Sequence, residues 1–299
     1  MNILVTGATG FIGTALLECL RDHTKSTGDQ IVLLSSCDVD GYTCIKHRNY
    51  TFTMNDFLVK GVEFVDIVFH LGAFIPKEIQ DANNINQCFS NIEGTKHLCD
   101  NLPSLPKRFI FASTVDVYAP QSPLDEATPI QPVTLYGQSK LYCEHMLESW
   151  AVQKGVVLQV LRIGHIYGVG EEAYKKIIPQ TIKGLIQGHP PCIFTSGREK
   201  RSFMHVSDCC RLLWKAAQLN TYDGPINLAS GRALSILELV NMLMEISGTG
   251  LKPIVENRDL PTRDYVFNTA KMERLLGAET LNLENGLREE YAYIRSKQN

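Results

Sequence analysis

Short apolar runs alternate with longer stretches of helical periodicity along the first half of the chain. The runs at 3–5, 30–34, 64–70, 107–112 and 156–163 are apolar at nearly every position, which is typical of strands buried on both faces of a parallel sheet. A shorter run at 51–53 predicts one more strand, and the stretches opening at residues 11, 84 and 136 predict helices. This alternation predicts an α/β fold built on a Rossmann-type doubly wound parallel sheet.

The pattern changes after residue 163. From residue 164 onward the alternation gives way to loops, a predicted helix over 174–187 and short irregular elements. We therefore expect a dinucleotide-binding domain over residues 1–163 and a smaller C-terminal substrate-binding lobe over 164–299, with some of its segments returning to the Rossmann sheet. Arginines recur from Arg162 onward, at Arg201, Arg258 and Arg263. Their guanidinium groups either bind an anionic substrate or lie on the surface.

Three glycines, Gly7, Gly10 and Gly13, lie between the first predicted strand and the first predicted helix. Gly7 permits a tight turn, Gly10 lets backbone N–H groups approach a pyrophosphate, and Gly13 lets the helix pack closely on the strand. The positive end of the helix then faces the phosphates. Because a strand and a helix flank the glycines, the spacing predicts a dinucleotide cradle and not a glycine-rich loop without a ligand.

The second predicted strand ends at Ser35 and Ser36, where a cradle that prefers NAD usually places an acid on the ribose hydroxyls. Two hydroxyl groups are able to hydrogen-bond a 2′-phosphate, which favours NADP (NADPH), although no arginine lies immediately beside them. Asp38 and Asp40 follow slightly late for the acid. Both NADP and NAD therefore stay open as the cofactor.

Two further segments are placed to contact a dinucleotide. Asp56 and Phe57 follow the predicted third strand and either line the adenine pocket or form a surface turn. Leu71, Gly72 and Ala73 follow the strand at 64–70, and their small size permits a backbone to approach the cofactor.

Hydroxyl side chains follow the fifth predicted strand, at Ser113 and Thr114, which places them at the carboxyl edge where open α/β sheets bind ligands. The next helix opens with Tyr136 and Lys140, whose four-residue spacing puts the phenol and the ammonium on one face, a turn apart. A nearby ammonium favours phenolate, so we expect Lys140 to lower the pKa of Tyr136 towards neutral pH, as a general acid or base requires.

Composition narrows the class of partner. The formal net charge is −3, with 20% charged residues that are scattered along the chain, which indicates a small-molecule partner and neither nucleic acid nor a membrane. The nine cysteines include no CxxC pair, no metal-ligand cluster is recognisable, and no apolar run reaches the ~20 residues of a membrane span. The first strand begins at the N-terminus, without a secretory signal before it, so we expect a cytoplasmic protein.

With these residues in view, the chain resembles the extended short-chain dehydrogenase/reductase superfamily, in its NAD-dependent epimerase/dehydratase branch of enzymes that act on nucleotide sugars. The resemblance covers essentially the whole chain. It is carried by the segments 6–13, 68–73, 91–95, 113–114, 161–162 with 166–168, 201–208 and 227–231, together with Tyr136 and Lys140.

The resemblance implies specific roles. Tyr136 would donate the proton, Thr114 would hydrogen-bond the same substrate oxygen, and Lys140 would hold the nicotinamide ribose. The implied cofactor contacts are Gly7, Thr9, Gly10, Phe11, Ile12, Gly13, Ser35, Ser36, Asp56, Phe57, Leu71, Gly72, Ala73, Asn91, Tyr136 and Lys140. The implied substrate contacts are Ser113, Asp116 and His165, with Phe194, Arg201 and Arg258 at the nucleotide diphosphate end. A homodimer through the helices that contain Asn91 and Tyr136 would follow by analogy.

Departures from the family pattern narrow the expected reaction. Sugar-nucleotide 4,6-dehydratases of this branch carry Asp-Glu after the catalytic threonine, whereas this chain has Val115 and Asp116, and valine cannot protonate a leaving hydroxyl. Ser35 in place of an acid fits a reductase that exchanges NADPH. We therefore expect a ketoreductase that reduces the C4 ketone of a dTDP- or UDP-linked 4-keto-6-deoxyhexose. The alternatives are a nucleotide-sugar 4-epimerase with tightly bound NAD and, more remotely, a non-catalytic cofactor-sensing protein.

Overall fold

The computed structural model describes residues 1–298, which form two compact units. The first unit comprises residues 1–119, 130–163 and 210–226, and the second comprises 120–129, 164–209 and the chain from 227 onward. The strands are β1 (Asn2–Thr6), β2 (Gln30–Ser35), β3 (Thr43–Lys46), β4 (Ile67–His70), β5 (Arg108–Thr114), β6 (Val157–Ile163), β7 (His165–Tyr167), β8 (Cys192–Ile193), β9 (Lys200–His205), β10 (Ile226–Leu228), β11 (Ala233–Ser235) and β12 (Ile254–Val255). The helices are α1 (Phe11–Thr27), α2 (Met54–Val59), α3 (Ile85–Asn101), α4 (Leu135–Lys154), α5 (Ile177–Ile186), α6 (Val206–Ala216), α7 (Ile236–Ser247), α8 (Ala270–Leu276) and α9 (Leu283–Ser296).

Seven strands form the central sheet in the order β10-β6-β5-β4-β1-β2-β3. β1 pairs in parallel with β2 on one side and with β4 on the other, and the parallel pairing continues from β2 to β3 and from β4 through β5 to β6. The chain thus winds outward from β1 in both directions, and the switch point between β1 and β4 is where such sheets bind ligands. The predicted doubly wound α/β fold is confirmed.

The strands of the first unit are buried along their length because helices cover the sheet. Leu4, Val68, Phe109 and Val160 come from four neighbouring strands and share one hydrophobic core, which α4 completes with Leu147. Continuous apolar runs in the sequence mark these strands since both faces of the sheet are covered.

The third strand lies earlier in the chain than predicted. β3 pairs in parallel with β2, which places Lys46 beside Ser35. The predicted strand at 51–53 does not form: Phe52 is buried in the core, and Thr53 precedes α2 in a capping box. The apolar side chain at 52 reflects burial, which a run of three residues cannot distinguish from a strand.

Helix ends in the first unit follow local sequence signals. α4, which carries Tyr136, begins after Thr134, whose hydroxyl accepts a hydrogen bond from the N–H of Gly137 at 3.1 Å. It ends at Gly155, whose φ of 69° lies in the left-handed region that glycine adopts without strain. These caps fix the register in which the helix presents Tyr136 and Lys140.

The second unit combines small sheets with helices. β9 pairs in parallel with β7 and antiparallel with β11, and β8 pairs in parallel with β12. Helices α5, α7 and α9 pack around a shared core that includes Ile182, Leu243 and Ile294. Across residues 1–298, no helix combines the length and the apolar character that crossing a membrane requires.

Candidate active site

The glycine-rich turn after β1 has a shape that only glycine permits. Gly7 has a φ of 68°, and a Cβ on it would lie 2.6 Å from the backbone nitrogen of Gly72. A Cβ on Gly13 would overlap the carbonyl oxygen of Gly7, so the first turn of α1 packs directly on the turn. The N–H of Gly10 closes the turn with a 3.0 Å hydrogen bond to the same carbonyl.

The N-terminus of α1 suits a pyrophosphate. The residue before the helix is Gly10, so no side chain caps it, and the first turn contains no acid. A helix of this length carries a positive dipole end that favours an anion there. Thr9 is exposed, and Phe11 and Ile12 are partly buried around this end. The cradle therefore fits a dinucleotide cofactor.

Ser35 and Ser36 lie at the end of β2 as predicted. The pairing of β2 with β3 also brings a cation, Lys46, to this end, which the sequence pattern did not indicate. The Ser35 hydroxyl accepts a 3.3 Å hydrogen bond from the N–H of Cys37, while Ser36 is exposed. Lys46 is paired with Ser35 across β2 and β3, and its ammonium lies 2.6 Å from the carboxylate of Asp38. Only the pairing of the two strands brings this lysine to the predicted ribose end of the cradle.

Asp56 and Phe57 make their observed contacts within the protein. The Asp56 carboxylate accepts hydrogen bonds from the N–H and the hydroxyl of Thr53, at 2.7 and 2.9 Å, and so caps α2. Phe57 is completely buried against Phe52 in the core. These contacts favour a structural role over a contact with adenine, which stays a prediction.

A buried hydrogen-bond chain through His70 fixes the loop after β4. The N–H of Gly72 donates to the Thr6 hydroxyl at 2.9 Å, which bonds His70 Nδ1 at 2.8 Å, and His70 Nε2 bonds the Thr95 hydroxyl at 3.0 Å. The Thr95 hydroxyl donates to the carbonyl of Asn91 at 2.7 Å, so Nε2 carries the histidine proton. Burial, with Lys140 nearby, lowers the pKa of His70 to about 3, which keeps the ring neutral.

The side-chain amide of Asn91 makes hydrogen bonds within the protein. Its Oδ1 accepts a hydrogen bond from the N–H of Phe74 at 2.7 Å, and its Nδ2 donates to the Phe74 carbonyl and to the Ser139 hydroxyl, each at 3.2 Å. Asn91 therefore holds the segment after Leu71, Gly72 and Ala73 against α4, and its contact with a cofactor stays a prediction.

Thr114 and Tyr136 meet at the carboxyl end of β5. Their side chains lie close together, and both residues are largely buried. The Thr114 hydroxyl also lies 3.2 Å from both the carboxylate and the N–H of Asp116, which opens a single 3₁₀ turn after β5. The structure thus brings a phenol, a hydroxyl and a carboxylate together at the edge where the sheet binds ligands.

The electrostatics of the phenol differ from the expectation. Burial raises the pKa of Tyr136, the nearby carboxylate of Asp116 raises it further, and only the neighbouring Thr114 hydroxyl opposes the shift. The ammonium of Lys140 lies over the Phe111 ring, 4.2 Å from its centroid. Burial lowers the pKa of Lys140 to about 8, against the opposing effects of Cys143 and Glu144. Desolvation of the phenol therefore outweighs the expected effect of Lys140.

Ser113 and Arg162 are committed to a buried ion pair. The Ser113 hydroxyl donates to Glu144 of α4. Arg162 donates to the same carboxylate from Nε at 3.1 Å and from a terminal nitrogen at 2.7 Å, and its guanidinium stacks on the Tyr118 ring. The buried guanidinium of Arg162 is thus used within the protein, while the substrate contact of Ser113 stays a prediction.

The remaining predicted substrate residues belong to the second unit, where they form two clusters. In one, the Arg258 guanidinium lies 4.6 Å from the centroid of the exposed Phe194 ring and 2.6 Å from the Glu256 carboxylate. In the other, Arg201 and Arg263 both lie over the Tyr265 ring, at 5.0 and 4.6 Å. Two arginine–aromatic stacks of this kind are suited to a base and to phosphates.

His165 packs edge-on against Tyr265, with a ring separation of 4.8 Å, and so joins the second cluster. Burial, together with the charges of Arg201, Lys176 and Arg263, lowers the pKa of His165 to about 3. The imidazole is neutral at physiological pH. In residues 1–298, no group of three or more His, Cys, Asp or Glu side chains is arranged to hold a metal ion.

The sequence pattern of the NAD dependent epimerase/dehydratase family matches residues 3–229. The chain belongs to this family. This is a family of enzymes of the extended short-chain dehydrogenase/reductase type. Membership supports NAD or NADP as the cofactor of the protein.

The chain is similar to members of the epimerase/dehydratase family that are named for different reactions. It is 27% identical, over 99% of its length, to the uncharacterized UDP-glucose epimerase YtcB of Bacillus subtilis, of which it covers 98%. It is also 27% identical, over 93% of its length, to dTDP-glucose 4,6-dehydratase of Streptomyces niveus, of which it covers 87%. The crystal structure of UDP-glucose 4-epimerase with UDP-glucose from Thermotoga maritima matches with a TM-score of 0.86 at 25% identity, over 100% of both chains.

Proposed function

We propose that the protein is a nucleotide-sugar 4-epimerase that uses NAD(P) to oxidise and re-reduce C4 of a UDP- or dTDP-linked hexose. The observation that carries the proposal is the proximity of the Thr114 and Tyr136 side chains at the carboxyl end of β5, with Lys140 one turn along α4. The similarity over the whole chain to a UDP-glucose 4-epimerase structure supports 4-epimerisation over the reduction expected from the sequence.

Each residue of the trio has a role that follows from its chemistry. When bound, the nicotinamide accepts a hydride from C4 and returns it. Tyr136 must be phenolate to accept the proton of the C4 hydroxyl in the oxidation step, and as phenol it returns that proton in the reduction step. Burial disfavours phenolate in the ligand-free protein, so the positive charge of bound, oxidised NAD(P) would have to lower this pKa. Thr114 hydrogen-bonds the same oxygen, and the cation of Lys140 holds the nicotinamide ribose. Residues of the cradle, from Gly7 to Gly13, would hold the pyrophosphate.

Elimination of water is not proposed, because the acid that it needs is absent from the site. Val115 stands next to Thr114 and is buried and apolar. Asp116 offers a single carboxylate, and this group lies 3.2 Å from the Thr114 hydroxyl. Asp116 is therefore positioned to orient Thr114 and to contact the sugar, while the apolar Val115 offers no second acid to protonate a leaving hydroxyl.

A ketoreductase is the second candidate function because of the residues at the carboxyl end of β2. Ser35 replaces the acid that repels a 2′-phosphate, and Lys46 lies directly beside it. This arrangement favours NADP, which a reductase exchanges at every turnover, whereas an epimerase gains from retaining its cofactor.

The two candidates differ in what the purified protein contains. An epimerase is expected to release NAD(P) into an acid extract and to interconvert UDP-glucose and UDP-galactose, or the dTDP forms, without added cofactor. A reductase is expected to arrive largely free of cofactor and to oxidise NADPH when given a dTDP- or UDP-4-keto-6-deoxyhexose. Turnover of neither kind, with cofactor binding intact, would indicate the cofactor-sensing protein instead.

We also propose a homodimer formed through α3 and α4. On α3, Ile85 and Phe89 are four residues apart and expose 72% and 53% of their surface, and Tyr142 of α4 exposes 57%. Large apolar side chains on neighbouring helices are typical of a helical interface. Sedimentation of the wild type as a dimer, and of Phe89→Glu as a monomer, is the expected result, and a wild-type monomer at micromolar concentration would contradict it.

A further inference from the structure

Two consecutive residues between β3 and α2 adopt a backbone conformation that is unfavourable for most residues other than glycine. Asn49 and Tyr50 have φ values of 52° and 58°, in the left-handed region, which is unusual for a residue as bulky as tyrosine. The N–H of Tyr50 bonds His47 Nδ1 at 3.1 Å, and the N–H of Thr51 bonds the carbonyl of Arg48 at 2.9 Å. The surrounding turn therefore holds a strained conformation, and such strain clusters at functional sites.

The strain directs the Tyr50 ring inward, into a slot that two glycines leave open. The ring stacks on His47 with a centroid distance of 4.8 Å and an angle of 21°. A Cβ on Gly94 of α3 would lie 2.9 Å from Cδ2 of the ring, and a Cβ on Gly72 would overlap the Tyr50 hydroxyl. Two glycines far apart in sequence thus make room for this one side chain.

The slot lies at the rim of the cradle. The backbone of Gly72 is the part of the β4 loop that approaches Gly7, and its N–H bonds Thr6 at the end of β1. Across residues 1–298, the Tyr50 hydroxyl makes no hydrogen bond, since the only polar contact of Tyr50 is that of its N–H with His47. Burial raises the pKa of Tyr50 to about 12, so the hydroxyl keeps its proton. A hydroxyl at the rim of the cradle that makes no hydrogen bond to the described residues is able to donate to a bound ligand.

Sheet order decides which half of a dinucleotide would meet this hydroxyl. The pyrophosphate is expected at the turn after β1, at the centre of the sheet. Tyr136 and Lys140 follow β5, on the β4 side of β1, and they define the nicotinamide end. Tyr50 follows β3, on the β2 side of β1. Tyr50 therefore enters the cradle from the side of the adenosine half.

We propose that the Tyr50 hydroxyl is a cofactor-binding group that hydrogen-bonds the adenosine half of NAD(P), and that Gly72 and Gly94 are glycines because they admit its ring. This proposal rests on the proposed use of NAD(P) by the protein. It replaces Asp56 and Phe57, which the sequence placed in this role, with a residue that only the folded chain brings to the cradle.

The test removes the hydroxyl and keeps the ring. Wild type, Tyr50→Phe and a control, Tyr293→Phe on α9 of the second unit, are freed of cofactor and titrated by calorimetry with ADP-ribose, which lacks the nicotinamide. The Kd of Tyr50→Phe is expected to rise about ten-fold, the worth of one hydrogen bond, with Tyr293→Phe unchanged. The melting temperature of ligand-free Tyr50→Phe should equal that of the wild type, because the hydroxyl has no partner within residues 1–298.

Equal ADP-ribose affinities for wild type and Tyr50→Phe would overturn the proposal. A lower melting temperature of ligand-free Tyr50→Phe would also overturn it, because it would mean that the hydroxyl bonds the protein. If the wild type binds ADP-ribose, Tyr50→Phe binds it more weakly, and no nucleotide sugar is turned over, the role of Tyr50 stands while the 4-epimerase function fails. A wild type that does not bind ADP-ribose would refute both.

Discussion

Arg162 of β6 and Glu144 of α4 form a two-point ion pair in which both side chains are almost completely buried. The pair ties the helix that carries Tyr136 and Lys140 to the sheet, one turn below Lys140. Ser113 donates to the same carboxylate, so three elements of the first unit meet at Glu144. The arrangement of Thr114, Tyr136 and Lys140 therefore depends on a buried ion pair that is not itself part of this trio.

Removing one partner of this pair should destabilise the protein strongly. Arg162→Met leaves the carboxylate of Glu144 buried without its cation, and we expect a loss of about 3–5 kcal/mol in the free energy of unfolding by urea. The double variant Glu144→Leu with Arg162→Met should be more stable than Arg162→Met. Arg288→Met, at an exposed ion pair with Glu284, is the control and should change stability by less than about 0.5 kcal/mol. Equal effects of the two single variants would contradict the structural role.

Tyr136→Phe should remove catalysis and leave the protein folded. The variant keeps the ring that packs at the end of β5 and loses the group that moves the proton. We expect kcat to fall by ~10²-fold or more, with Kd for NAD(P) little changed. Tyr293→Phe, on α9, serves as the control. Turnover of Tyr136→Phe at the wild-type rate would remove Tyr136 from the mechanism.

The raised pKa of Tyr136 can be measured without a substrate. Burial disfavours phenolate, so the ligand-free wild type should show no tyrosinate from Tyr136 below pH 10, the ordinary value. In an ultraviolet pH titration, wild type and Tyr136→Phe should then give the same tyrosinate absorbance up to that pH. One additional tyrosinate in the wild type near pH 7 would mean that Lys140 outweighs burial after all.

Arg201 and Arg258 are expected to bind the diphosphate of the proposed substrate, because guanidinium forks match phosphate oxygens. Each alanine variant should weaken the binding of UDP or dTDP by about ten-fold or more in calorimetry, while Arg295→Ala, exposed on α9, should not. Glu256→Gln should strengthen binding, since Glu256 pairs with Arg258 in the ligand-free protein. Unchanged affinities in both arginine variants would place the substrate elsewhere.

Glu290 should make the protein less stable as the pH rises. Burial, with Glu171 and Glu172 nearby, raises the pKa of Glu290 from 4.5 to about 9 in the folded state. Between these values the unfolded chain has released a proton that the folded chain retains, so the free energy of unfolding falls with increasing pH. Glu290→Gln should remove this decline and be more stable than wild type at pH 8 by at least about 1 kcal/mol. The control is the exposed Glu289→Gln, and a parallel decline in Glu290→Gln would contradict the assignment.

The sequence by itself determined the parts of the protein that depend on local order. Buried strands read as continuous apolar runs, the cradle needs glycines at fixed spacing after a strand, and a helix places residues four apart on one face. Fold class, the turn from Gly7 to Gly13, and the positions of Thr114, Tyr136 and Lys140 at the carboxyl edge all followed from such patterns.

The tertiary structure alone decided what those side chains are free to do. Strand register, which joins residues distant in sequence, placed Lys46 beside Ser35 and left 51–53 outside the sheet. Burial raised the pKa of Tyr136 against the expected effect of Lys140, and Glu144 took up Ser113 and Arg162. The slot that holds Tyr50 exists only where α3 and the β4 loop come together. Desolvation and pairing between residues distant in sequence arise only in the folded chain, so local periodicity cannot indicate them.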